Sequence, residues 1–195
     1  MFRKFCLAVT AASIMPLIFA DAALARRRHQ RKPIEAETVK AAVPTPGGGK
    51  ALELGKFGDW GAYSTQGAKG KICYALAQPK ERQPGGLKRD PGYLFISTRP
   101  GEGVRGEVSF IFGYPLKETG SDATAEAGSA SFELITKNEN AWVKNAAEEG
   151  SLVETMRKTT KLLVKAPSKK GNASSDTYSL SGLSQALDRV KKECP

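Results

Sequence analysis

Several short stretches of the chain alternate apolar and polar residues with period two, separated by segments rich in Gly and Pro. Residues 70–78 (GKICYALAQ) place Ile72, Tyr74 and Leu76 on one face and Cys73, Ala75 and Ala77 on the other, as a β-strand does. Residues 93–98 (YLFIST) and 106–114 (GEVSFIFGY) carry the strongest strand signals, and the intervening RPGEGVR suits a hairpin connection. Residues 57–64 (FGDWGAYS) set Trp60 among glycines, which reads as a strand with tight turns. Further strands are expected at 129–136 (SASFELIT), 140–144 (NAWVK), 160–166 (TKLLVKA) and 175–179. The stretch 79–92 (PKERQPGGLKRDPG) reads as a polar loop.

Two segments follow a helical period instead. Asn145 is placed to cap a helix over residues 146–158, with Glu148 at the capping-box position and Leu152, Val153 and Met156 as the buried stripe. In residues 180–193, Leu180, Leu183, Leu187 and Val190 recur at three- and four-residue steps, and Cys194 extends the same stripe. The pattern predicts a mainly β fold: a single-domain antiparallel β-sandwich with two helices, spanning residues 51–195.

The amino-terminal quarter differs. Arg3 and Lys4 precede an almost wholly apolar run to Ala20, and Ala23-Leu24-Ala25 supplies small residues at a cleavage site. This predicts a signal peptide over residues 1–25, cut after Ala25. Pro16 and Asp21 break the run short of the ~20 apolar residues a spanning helix needs. Residues 26–50 then carry seven basic against two acidic residues and end in PTPGGGK, a composition expected of a basic disordered arm and linker. Arg26, Arg27, Arg28, Arg31 and Lys32 are the expected polyanion contacts, because such a run is drawn to anionic lipid, acidic polysaccharide or nucleic acid. The whole chain has a formal net charge of +10, and the part beyond residue 50 is only mildly basic.

Cleavage removes Cys6 and leaves Cys73 and Cys194, which an oxidising compartment would join. Cys73 shares its strand face with Ala75 and Ala77, small enough to let the carboxy-terminal helix approach within disulfide distance. The alternative is a pair of buried free thiols. A redox role would call for a short Cys-x-x-Cys spacing, and the chain has none.

No residue pattern specifies catalysis. The sole histidine, His29, falls in the arm, so a His-based triad within the domain is excluded. Cys and His lack metal-ligand spacing, and the glycine clusters at 47–49 and 101–103 lack the strand-to-helix setting of a phosphate loop. Glu148 and Glu149 read as helix-start charges favoured by the dipole. Trp60, Tyr63 and Trp142 could anchor a ligand, but core positions in a small sandwich account for them better.

Four segments together resemble the bacterial invasion-associated locus B family: residues 57–80 (FGDWGAYSTQGAKGKICYALAQPK), 93–117 (YLFISTRPGEGVRGEVSFIFGYPLK), 138–158 and 176–194. The resemblance implies a secreted or periplasmic, mostly β protein without established catalytic residues, whose two cysteines correspond to Cys73 and Cys194. Its expected role is that of a non-enzymatic cell-envelope binding or adhesion module, active in host-cell interaction or envelope function, in the periplasm, at the outer membrane or outside the cell. It needs no cofactor, and its partner is a protein or an envelope or host-surface ligand. The alternatives are a binder of nucleic acid or acidic polysaccharide through the arm, and a carboxylate-based envelope hydrolase.

Overall fold

Eleven strands form one continuous antiparallel sheet in the computed structural model, which describes residues 45–195 apart from Gly47 and residues 119–121. The expected signal peptide and the basic residues from Arg26 to Lys32 lie outside the described residues. In chain order the strands are β1 (Leu52–Phe57), β2 (Trp60–Gly67), β3 (Gly70–Ala77), β4 (Glu81–Gln83), β5 (Tyr93–Arg99), β6 (Val104–Ile111), β7 (Thr124–Ala127), β8 (Ala130–Lys137), β9 (Asn140–Val143), β10 (Lys161–Lys165) and β11 (Ser175–Ser179). Helix α1 (Glu149–Lys158) joins β9 to β10, and α2 (Leu183–Glu193) follows β11.

The spatial order is β1-β2-β3-β5-β6-β9-β8-β7-β10-β11-β4. Strand β8 pairs with β9 on one side and β7 on the other, so it joins two halves that close over a shared core. One half contributes Trp60, Ala62, Leu94, Ile96 and Phe110, the other Leu134, Leu162, Val164 and Tyr178. The Phe110 and Tyr178 rings meet across the interior with centroids 6.4 Å apart. Each fully buried aliphatic or aromatic side chain here contributes about 1.5–3 kcal/mol over its exposed state. The expected β-sandwich with two helices is therefore the fold observed.

Several boundaries differ for identifiable reasons. Residues 57–64, read as one strand, contain a corner: Gly58 (φ 55°) turns β1 into β2, and the Asp59 N–H donates to the Ser181 carbonyl, 3.0 Å. Strand β6 stops at Ile111 rather than at residue 114, where Gly113 takes φ 66°. The second helix starts at Leu183, not at residue 180. Gly182 has φ 90°, a left-handed conformation that cannot lie inside a right-handed helix. A Cβ there would also stand 1.8 Å from the Phe57 carbonyl oxygen. The apolar stripe survives the later start, since Leu180, Leu183, Leu187, Val190 and Cys194 are all buried. At α1, the Asn145 side chain accepts the Ala147 N–H as a cap should, but residues Ala146–Glu148 form a 3-10 turn first. Glu148 accepts from the Asn145 side-chain amide, and Leu152 and Met156 are buried as the stripe required.

Strands β1, β4 and β7 have no counterpart in the sequence-based expectation. Of these, β4 matters most for the site: it lies in the supposed polar loop and pairs with β11 through Arg82 opposite Asp176.

Candidate functional site

The Cys73–Cys194 disulfide is formed, with its Cα atoms 6.0 Å apart and its members separated by 121 positions in sequence. Both cysteines are buried, and α2 packs over the face of β2 and β3 that carries Ala62, Cys73, Ala75 and Ala77. The small side chains do what the alternation predicted: they bring the helix close enough for sulfur to meet sulfur.

Trp60 is 1% exposed, and its indole N–H donates to the Ser179 carbonyl at 3.0 Å, tying β2 to the end of β11. It is a core residue. Tyr63 belongs to a second cluster on the opposite face of β2, β3 and β5, with Ile72, Tyr74, Leu76 and Phe95. The Tyr63 and Tyr74 rings stack at 5.5 Å. Burial, and then the neighbouring Tyr63, push the Tyr74 hydroxyl up to about 12, and that hydroxyl has no hydrogen-bond partner among the described residues. Trp142 is half-buried on β9. A recess of about 440 Å³ beside Tyr63 and Tyr93 is lined by Lys56 and by the ion pair of Lys80 with Asp59.

The most chemically distinctive site was not foreseen. Asp176 is fully buried at the start of the inward-facing pair that ends in Tyr178. The Arg82 Nε donates to both of its carboxylate oxygens at 3.1 Å, and the Arg89 Nη1 stands 3.9 Å from Oδ1. Arg82 also donates to the Asp90 and Phe112 carbonyls, so its guanidinium pins three segments. Arg89 donates to the Pro84 carbonyl at 2.8 Å and lies 5.6 Å from the Tyr114 ring centre, in cation–π contact. The Tyr114 hydroxyl bonds to Ser174, which donates to the Ala166 carbonyl. Gly113 is required in this frame, because a Cβ there would fall 2.2 Å from the Asp90 carbonyl oxygen.

One buried carboxylate thus serves two guanidinium groups, leaving the cluster with a net positive charge. Desolvation holds the Asp176 carboxyl above the ordinary carboxylate range, and Arg82 and Arg89 offset part of that rise. The arrangement is a structural anchor for loop 83–92 rather than an acid/base pair, since the carboxylate is enclosed by its partners.

This frame forms one wall of an open pocket of about 510 Å³. Its apolar surface comes from Pro84, Leu87, Tyr114 and Pro115, and its cations are Lys88, Arg89, Lys169 and Lys170. Among the described residues no carboxylate lines it. Leu87 is 59% exposed, as a side chain at the rim would be. Two turns build the pocket, the former polar loop and the SKKGN turn between β10 and β11. The signal available in the sequence was Asp176 at period two from Tyr178, an ionisable residue on an inward face that needs a cationic partner.

Among the described residues there is no group of His, Cys, Asp and Glu arranged to hold a metal ion, and no helix long and apolar enough to cross a membrane.

These features define a small disulfide-stapled antiparallel β-sandwich protein. Among solved structures, the crystal structure of invasion associated protein B from Bartonella henselae has this fold, with a TM-score of 0.51 over 73% of the present chain and 97% of that one, at 15% sequence identity. No family model matches the sequence, and no curated protein matches it. At this identity the likeness establishes a relation of fold, which is the level at which the expected resemblance holds.

Proposed function

We propose that the protein is an exported, non-enzymatic binding module of the cell envelope, acting in host-cell interaction or in envelope function. The observation that carries this reading is the buried Cys73–Cys194 bond, because such structural disulfides belong to oxidising compartments and are rare in the cytosol. The fold shared with invasion associated protein B supports it, as does the signal-peptide pattern of residues 1–25. The basic run from Arg26 to Lys32 tethers the chain to anionic envelope components, at about 1 kcal/mol per basic residue near an acidic membrane surface.

Fractionation of the native host with mass spectrometry of the intact protein tests the proposal. The expected product begins at Arg26, lacks the two thiol hydrogens and occurs outside the cytosol. Deleting residues 26–32 should move it from the envelope fraction to the soluble one. An uncut chain in the cytosol with both thiols free overturns the reading, and an unchanged distribution after the deletion removes the tether.

A further inference from the structure

We infer that the pocket between loop 83–92 and the turn 168–174 is a binding site for a single-chain anionic amphiphile, a carboxylate-headed acyl chain of medium length. The inference supplies a ligand class to the binding module proposed above, and it stands on three properties of the pocket.

The first is charge. Lys88, Lys169 and Lys170 are exposed at the pocket, among the described residues no carboxylate shares its lining, and Arg89 shares the Asp176 carboxylate with Arg82. The site therefore presents net positive charge to whatever enters, with Asp90 and Glu139 lining an adjoining recess that shares Lys88, Arg89, Tyr114 and Pro115. The second is its apolar surface. Leu87 and Pro84 from one loop face Tyr114 and Pro115 from the segment after β6, so an ion without a hydrocarbon body would leave most of the pocket unfilled. The third is shape and rigidity. A volume of about 510 Å³ falls within the range of small-molecule sites, roughly 300–1,000 Å³. The wall is held by the Arg89–Pro84 hydrogen bond, the Arg89–Tyr114 cation–π contact and the Tyr114–Ser174 bond. A preformed concave site that combines cations with hydrocarbon surface in one lining matches one amphiphilic molecule better than a flat membrane surface.

The test uses the exported protein as the host processes it, titrated by calorimetry and by amide NMR. Decanoate is the probe, with acetate as the head alone, decanol as the chain alone and phosphatidylglycerol vesicles as the membrane surface. Decanoate is expected to bind at least about tenfold more tightly than acetate or decanol, since each lacks one half of the recognition. Its shifts should centre on residues 84–89, 114–115 and 168–174. Replacing Lys88, Lys169 and Lys170 together by Gln should weaken decanoate about tenfold, the sum of three exposed charge contacts, and leave decanol unchanged. Leu87→Ser should weaken decanoate and decanol alike. These substitutions fall on exposed side chains, and an unchanged unfolding midpoint confirms that the fold is kept. Decanoate bound no better than decanol, shifts centred elsewhere, full binding by the triple variant, or binding to vesicles alone would each overturn the assignment. None of those results bears on the compartment or the disulfide, so export is judged separately by fractionation.

Discussion

Replacing Cys73 and Cys194 together by Ala isolates the contribution of the bond between them. The closed loop spans 121 residues, and the chain-entropy model assigns such a loop about 4.9 kcal/mol at 25 °C. Measured effects of removing native disulfides run lower on average, about 2–5 kcal/mol. A domain of this size has a total stability of about 5–15 kcal/mol, so the double variant should be folded but marginal. Urea unfolding followed by Trp60 and Trp142 fluorescence gives both quantities needed. The midpoint should fall by an amount equivalent to about 3–5 kcal/mol. The slope of free energy against urea should rise, because an uncrosslinked unfolded chain exposes more surface. A loss below about 1 kcal/mol, with an unchanged slope, would refute the reasoning: the core and α2 would then be held by packing alone.

Two further outcomes test the interior. Asp176→Asn removes the charge shared by Arg82 and Arg89 and should destabilise the fold by about 3–5 kcal/mol in urea unfolding, since it leaves two guanidinium groups without their carboxylate; a loss under about 1 kcal/mol would show those arginines to be adequately solvated. Glu149, at the start of α1, accepts the Val108 N–H at 3.2 Å, and burial raises its carboxyl above the ordinary value despite that bond. The folded state then holds its proton more tightly than the unfolded state, so this residue makes stability fall as pH rises from the ordinary Glu value through the raised one. Glu149→Gln should flatten that part of the stability–pH curve, and an unaltered slope would contradict the assignment.

How far the sequence reveals this molecule depends on the range of the interactions involved. Strand β3 and helix α2 were legible because their periods are local, and Cys73 and Cys194 could be joined once each was placed on an inward face. Strand β4 could not be read: Glu81-Arg82-Gln83 has no strand pattern of its own, and it is extended because the edge of β11 offers it hydrogen bonds. Strand β7 (TAEA) is built of residues with weak β preference and is held by Phe132 opposite Ala125 on one side and Val164 on the other. The basic pocket stayed hidden for the same reason. Its two turns lie about 80 residues apart, and each alone looks like solvated connection. What brings them together is Arg82 meeting Asp176 across 94 residues, a pairing that no local period encodes.

The placement of the cysteines also gives the stapling reaction a direction in time. Cys73 sits in the third strand, and its sulfur must wait while 121 further positions, carrying every remaining strand, are delivered. The native link forms where α2 meets the sheet, so the covalent bond works as a completion mark: a chain in which α2 has not docked keeps its two sulfurs apart.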